Sequence, residues 1–248
     1  MKVKTILVSQ PKPESEKSPY FDLAEKHKLN IDFRPFIHVE GIDGQEFRLS
    51  RINFQDHSAV IFTSRNAVDH FFRLAEELRY TVPDSLKYFC VSEATAFYLQ
   101  KYVVYRKRKI FHGKQTFSDL MDLIKKHNKE KFLLPCSDLL KEEIPDILDK
   151  AKIDYSKAIS YKTVCSDLSD LRDIKYDMLV FFSPSGIVSL YKNFPDFEQG
   201  DTKIAAFGPT TNKACADHKL IVNVPAPTTS SPSMTMSIEN YIKKAGKK

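Results

Sequence analysis

The chain has 248 residues, of which 42% are apolar and 28% are charged, and its formal net charge is +6 at pH 7. This length allows one large domain or two compact domains of about 100 to 150 residues, and we expect two. The sequence contains no run near the roughly 20 apolar residues that span a bilayer, so we expect no membrane segment.

The cysteines and the basic residues exclude several classes of protein. Four cysteines lie far apart, without CxxC spacing, which favours neither a zinc site nor a disulfide framework and indicates reduced thiols in a cytoplasmic protein. The basic run 106–109 and the four lysines among the last six residues accompany no nucleic-acid motif. Solvated loops or helix ends explain them, and at most they attract an anionic small molecule.

Short apolar runs alternate with stretches of helical periodicity along the whole chain, a pattern typical of an α/β fold with parallel sheets. Two of the predicted strands, 33–39 and 157–163, alternate polar and apolar residues, which indicates exposure on one face. The predicted strands, in chain order, are 3–9, 33–39, 58–62, 88–91, 102–105, 131–134, 157–163, 178–182, 203–207 and 220–224.

Several segments occur twice. VIFTSRNAV begins at residue 60 and VFFSPSGIV at residue 180, and FCVSEATAFYL (89–99) corresponds to AAFGPTTNKAC (205–215). A weaker match relates 112–124 to 226–238, both of which are rich in Thr or Ser before a helix. The repetition predicts two similar parallel-sheet lobes.

The two alternating segments suggest how the chain is divided. We predict that it leaves the first lobe through one segment, builds the second lobe and returns through the other, the two pairing as an antiparallel linker. The predicted ranges are 1–34 plus 166–248 for the first lobe, 40–156 for the second, and 35–39 and 157–165 for the linker strands.

The repeated turns are the candidate binding residues, because each lies where a strand ends and a helix begins. One interpretation is helix capping alone. The other is that several helix N-termini bind carboxylates or phosphates at the carboxyl edge of the sheets, with glycine allowing close approach of a ligand. The residues are Thr63, Ser64, Arg65, Asn66, Ser92, Thr95, Ser183, Pro184, Ser185, Gly186, Gly208, Thr210 and Thr211.

The sequence lacks the motifs of several common nucleotide-binding, hydrolase and metal sites. The chain has seven glycines and neither GxGxxG nor GxxxxGK[ST], and it lacks GxSxG and HExxH. Its seven histidines show no metal-ligand spacing. We therefore expect a protein that works without metal, nucleotide cofactor or acyl-enzyme serine.

The ordered segments FTSRNAV, VSEAT, AISYKTV, FFSPSGIV and AFGPTT resemble the uroporphyrinogen-III synthase family over nearly the whole chain. The resemblance implies two α/β lobes joined by a two-stranded linker, with the active site in the cleft between them. It also implies a cofactor-free step of heme biosynthesis. In that step hydroxymethylbilane, a linear tetrapyrrole with eight carboxylates, loses its terminal hydroxyl and closes with ring D inverted.

The same resemblance implies a catalytic role for Tyr161, in the YKT segment. Its phenol, with an ordinary pKa near 10, remains a proton donor at neutral pH and would act on the leaving hydroxyl. The alternative is an aromatic residue that only packs on the strand. We expect a monomer that makes transient contact with hydroxymethylbilane synthase and binds neither nucleic acid nor membrane.

The chain departs from the family pattern at several positions. It has Ser9 and Gln10 where an arginine is frequent, Cys136 and Ser137 where an Arg-Gly pair is frequent, and Ser92 where glycine is common. Arg65, Lys114 and Lys203 are candidates for binding the substrate carboxylates. The alternative function is a catalytically inactive tetrapyrrole-binding or regulatory module of the same fold.

Overall fold

The computed structural model describes residues 3–140, 142–171 and 175–245. The chain divides into two compact units, one of Met1–His38 with Val164–Lys248 and the other of Val39–Thr163. Of the basic C-terminal residues, Lys247 and Lys248 lie outside the described residues.

The described residues contain eleven strands and nine α-helices. The strands are β1 (Thr5–Val8), β2 (Asn30–Phe33), β3 (Ile37–Gly41), β4 (Ala59–Phe62), β5 (Lys87–Cys90), β6 (Ile110–His112), β7 (Phe132–Ser137), β8 (Tyr155–Cys165), β9 (Met178–Phe181), β10 (Lys203–Phe207) and β11 (Val222–Ala226). The helices are α1 (Pro19–His27), α2 (Gly44–Arg48), α3 (Arg65–Glu77), α4 (Glu93–Tyr98), α5 (Phe117–Lys126), α6 (Glu143–Lys150), α7 (Pro184–Asn193), α8 (Pro209–Asp217) and α9 (Met234–Ala245).

The unit that contains both chain ends is built on a parallel sheet of strand order β11-β10-β9-β1-β2. Its central strands are apolar apart from Thr5 and Lys203, which begin β1 and β10, because helices cover both faces. Leu23 of α1 and Ile238 of α9 are buried on one face, and Ile187 of α7 and Cys215 of α8 on the other. The prediction of a parallel sheet covered by helices is confirmed for this unit.

The unit of residues 39–163 contains the sheet β3-β8-β7-β4-β5-β6, whose last five strands are parallel. Helix α3 packs on one face through Val68, Phe71 and Leu74, whose spacing follows the helical period. Helix α5 packs on the other face through Leu120 and Ile124. Both predicted parallel-sheet lobes are therefore present.

Strand β3 runs antiparallel to β8. The Ile42 amide donates to the Ser160 carbonyl and the Ser166 amide donates to the Phe36 carbonyl, so the residue numbers of the two strands change in opposite directions. The boundaries of the two units fall within these strands. The exact limits of lobes and linker stay predictions.

The strand orders β11-β10-β9-β1-β2 and β6-β5-β4-β7-β8 are equivalent. The strands of the repeated segments occupy corresponding places: β9 matches β4, β10 matches β5, and β11 matches β6. The weak third match in the sequence therefore reflects a structural repeat.

Three parts of the strand prediction are wrong. The predicted strand 33–39 is not continuous, because β2 ends at Phe33 and β3 begins at Ile37. Residues 102–105 form no strand, because Tyr102 stacks on Phe72 of α3 and donates a hydrogen bond to Asp69, while β6 takes the place beside β5. Strand β2 was missed, because its sequence NIDF is partly polar at a sheet edge. Among the described residues no helix is long and apolar enough to cross a membrane, and no group of three or more His, Cys, Asp or Glu residues could hold a metal ion.

Candidate active site

A cavity of about 480 Å³ lies in the unit of residues 39–163, at the carboxyl ends of β4, β5 and β7. Hydroxyl groups, one thiol and the acidic residue Glu143 share its wall with apolar side chains, so it is suited to a ligand with both polar and apolar parts. The lining residues are Thr63, Ser64, Val91, Thr116, Phe117, Cys136, Ser137, Leu139, Leu140, Glu143, Ile144 and Tyr161.

Ser64 reaches the cavity from the turn between β4 and α3. Its backbone is extended and its Oγ accepts a hydrogen bond from the Ala67 amide at 3.1 Å, so Ser64 is the N-cap of α3. The same Oγ lies 3.3 Å from the Tyr161 hydroxyl. Ser64 therefore links the first turn of a helix to the phenol.

Tyr161 lies on β8 and is only 7% exposed. Burial raises the pKa of its phenol, the hydrogen bond with Ser64 opposes that shift, and Cys136 and Asp138 add to it. The net result is a phenol that keeps its proton at neutral pH. Tyr161 is one of the residues that line the cavity.

Two further hydroxyls in the cavity were not predicted as site residues. Ser137, at the end of β7, donates from Oγ to the Asp138 carboxylate at 2.7 Å. Thr116 caps α5 in a capping box with Asp119. The rule that binding residues follow parallel strands, applied to β7 and β6 as well as β4, would have found both.

The other candidates in this unit lie outside the cavity lining. The Arg65 guanidinium lies 5.3 Å from the Tyr98 ring centroid, and Asn66 is exposed. Ser92 caps α4 by accepting from the Thr95 amide, and Thr95 is buried. Lys114 is exposed near Asp119, whose pKa is lowered mainly by the Thr116 backbone hydrogen bond and also by Lys114.

In the unit that contains both chain ends, the predicted turns begin α7 and α8. Ser183 caps α7 by accepting from the Gly186 amide at 3.3 Å, with Pro184 and Ser185 in the first turn. A Cβ at Gly186 would lie 3.3 Å from the Phe181 ring, so the glycine permits close packing.

Gly208 precedes α8 with φ of 86°, a conformation that favours glycine. Of the threonines that follow it, Thr210 is exposed and Thr211 is buried. Lys203 begins β10 and is half-buried. Capping is thus observed for Ser64, Ser92 and Ser183, whereas carboxylate binding by the turns stays a prediction.

The comparison with protein families shows to which family the chain belongs. A family model described as uroporphyrinogen-III synthase HemD matches residues 18–236. The chain belongs to the uroporphyrinogen-III synthase family. Family membership supports synthesis of uroporphyrinogen III in tetrapyrrole biosynthesis as its function, and no feature of the described residues favours the inactive alternative.

Solved structures of uroporphyrinogen-III synthases share the fold. The enzyme from Helicobacter pylori 26695 is 19% identical, with a TM-score of 0.62 over 97% of this chain and 99% of that one. A mutant synthase from the extremely thermophilic bacterium Thermus thermophilus is 15% identical, with a TM-score of 0.57 over the same shares of the two chains. The comparison with curated protein sequences gave no match.

Proposed function

We propose that this uroporphyrinogen-III synthase acts as a lyase on hydroxymethylbilane, with Tyr161 as the proton donor to the leaving hydroxyl. The observation that carries this proposal is the buried Tyr161 hydroxyl at the cavity, 3.3 Å from Ser64 Oγ. The raised pKa of the phenol supports the role, because the proton is still present at neutral pH.

The reaction needs little chemical assistance beyond this proton. The phenol donates its proton to the terminal hydroxyl, which leaves as water. The electron-rich pyrrole stabilises the resulting cation. The cation bonds to the ring D carbon that already carries the bridge to ring C, which gives a spiro intermediate. That bridge bond then breaks and re-forms at the free α-carbon of ring D, which inverts the ring. The proton that this carbon loses returns to the phenolate, so the net change is loss of one water. The protein must mainly hold the chain in the shape that closes with ring D inverted.

The substrate carboxylates need hydrogen-bond donors, which the turns can supply. We assign this role to the candidate residues of both units, because hydroxyls and helix N-termini favour negative charge. The cavity adds Thr116 to that set, whereas the Ser137 hydroxyl already donates to Asp138. Its apolar residues, such as Leu139 and Leu140, are suited to the flat faces of pyrrole rings.

The remaining parts of the proposal concern localisation, oligomeric state and partners. We propose a cytoplasmic monomer that needs no cofactor, binds neither membrane nor nucleic acid, and receives hydroxymethylbilane through transient contact with hydroxymethylbilane synthase. Light scattering at a mass of 28.5 kDa would support the monomer. A mass of twice that value would contradict it.

The test of the function is an isomer assay. Freshly generated hydroxymethylbilane is mixed with the protein, the products are oxidised, and isomers I and III are separated by chromatography. We expect mainly type III. Type I alone, the product of unguided closure, would overturn the proposal and favour the inactive binding module.

The same assay tests Tyr161. Tyr161→Phe removes one hydroxyl and keeps the ring, so we expect a folded protein with kcat about 100-fold lower, the lower range of general acid catalysis. Circular dichroism and thermal unfolding check the fold. An unchanged kcat would remove Tyr161 from the mechanism.

A further inference from the structure

His70, on α3, lies directly against Tyr161. The two ring centroids are 5.0 Å apart and the rings are stacked, with an angle of 22° between their planes. Tyr161 therefore has the Ser64 hydroxyl near its own hydroxyl and the His70 imidazole on its ring face. The imidazole therefore covers one face of the Tyr161 ring.

Arg73, one helical turn further along α3, holds the imidazole. Its Nε donates a hydrogen bond to His70 Nδ1 at 3.2 Å. Its Nη2 donates to the Ile42 carbonyl at 2.6 Å and to the Ser160 carbonyl at 3.2 Å, and Nη1 pairs with Glu77. Because Ser160 precedes Tyr161 on β8, one guanidinium ties the imidazole to the backbone beside the phenol.

This arrangement determines the protonation of His70. An arginine N–H can only donate, so Nδ1 must be the accepting nitrogen and the ring is neutral with its proton on Nε2. Burial and the Arg73 charge lower the pKa of His70, against the opposing effect of Asp69, which agrees with a neutral ring. A neutral ring places no positive charge beside Tyr161 that would favour the phenolate.

Gly41, at the end of β3, leaves the space that the guanidinium needs. A Cβ at this position would lie 2.7 Å from Nε, Cζ and Nη2 of Arg73. Any side chain there would displace the guanidinium from the carbonyls and from His70. Gly41 offers a way to disturb Arg73 without changing either ring.

We propose that His70, oriented by Arg73, is a positioning residue that holds the Tyr161 phenol for proton transfer. The inference rests on the proposed role of Tyr161. His70 acts through Tyr161, and the geometry assigns it no contact with the reacting atoms. The motif is HxxRxxxE on one helix face, at His70, Arg73 and Glu77.

The kinetic test compares His70→Ala, His70→Phe, Tyr161→Phe and the double variant His70→Ala/Tyr161→Phe. We expect His70→Ala to lower kcat about tenfold with little change in KM, because the phenol loses its alignment. His70→Phe keeps a ring against the phenol and should recover most of the loss. In the Tyr161→Phe background, His70→Ala should have no further effect on kcat.

Two kinetic results would overturn the proposal. One is a wild-type kcat in His70→Ala, and the other is a loss that is fully additive with Tyr161→Phe. Gly41→Ala should lower kcat in the same direction, and a wild-type kcat there would show that Arg73 is not needed to orient His70. The control is His127→Ala, because His127 also packs on an aromatic ring, 4.6 Å from Phe111, but outside this cluster.

A second measurement separates this inference from the function. The tyrosinate absorbance is titrated with pH in each protein and in the same protein with Tyr161→Phe added. The difference between the two titrations gives the pKa of Tyr161. In His70→Ala water reaches the phenol, so its pKa should fall toward the ordinary value, whereas in His70→Phe it should stay raised. Type I product from the wild type would end the proposed function, and an unchanged Tyr161 pKa in His70→Ala would independently overturn the contact proposed here.

Discussion

Ser64 has two partners, the Ala67 amide and the Tyr161 hydroxyl. We expect Ser64→Ala to reduce the free energy of unfolding by about 1 kcal/mol through loss of the cap. We also expect kcat to fall severalfold, because the phenol loses its hydrogen-bond partner. Urea unfolding and the isomer assay measure the two effects.

Ser18 is the matched control for this change. It caps α1 by accepting from the Tyr20 amide and lies away from the cavity lining. Ser18→Ala should cost similar stability and leave kcat unchanged. Equal kinetic losses in both variants would mean that the Ser64 effect is one of stability alone.

Helices α1 and α9 are joined by Glu239. Its carboxylate lies 2.8 Å from Lys26 and 2.9 Å from Lys243, and it contacts His27 at 3.1 Å. Hydrogen bonds from these three residues, that from Lys26 being the largest effect, lower the pKa of Glu239 to about 2. The cluster is therefore a pH-dependent contact between two helices.

Because the folded state lowers this pKa, the stabilisation is present above the ordinary glutamate pKa and is lost as the pH falls toward 2. We expect Glu239→Gln to reduce the free energy of unfolding by about 1 kcal/mol at pH 7, a value typical of partly exposed pairs. The difference from wild type should vanish as the pH falls below about 2. Glu25→Gln, an exposed change on α1, is the control. If the stability difference between Glu239→Gln and wild type does not depend on pH, the lowered pKa of Glu239 is contradicted.

Across the whole molecule, three of the four cysteines are buried. Burial raises the pKa of Cys90 to about 12 and those of Cys136 and Cys215 to about 11, while Cys165 is only half-buried. Because thiolates are the reactive form, we expect a thiol reagent at pH 8 to modify one cysteine rapidly in the native protein and four in urea. Rapid modification of two or more native thiols would contradict the structure.

Several features of the fold could be predicted from the sequence because they follow from local patterns. A buried parallel strand needs apolar residues on both faces, so AVIF of β4 and MLVF of β9 were recognised. Polar edge strands lack this signal, which is why β2 was missed. The run at 102–105 is rich in residues that favour strands. Tyr102 nevertheless packs on Phe72 and donates a hydrogen bond to Asp69, so the run does not join the sheet.

The candidate site was predicted in part. Ser64 was named from the repeated turns and Tyr161 from the family resemblance, and both line one cavity. Ser137 and Thr116 were not named, because the repeat drew attention only to the turns that occur twice. His70 could not be recognised, since a helical histidine shows its function only when the partner strand is known.

The sequence by itself determined the α/β class, the internal repeat and the family, because periodicity, turn residues and ordered motifs are properties of neighbouring positions. Only the tertiary structure decided that Tyr161 meets Ser64 and His70, and that Arg73 reaches the backbone beside it. These contacts join α3 to a strand about 90 residues later in the chain, and no local pattern specifies such a distant pairing. The physical reason is that burial and strand order, rather than propensity, bring the two segments together.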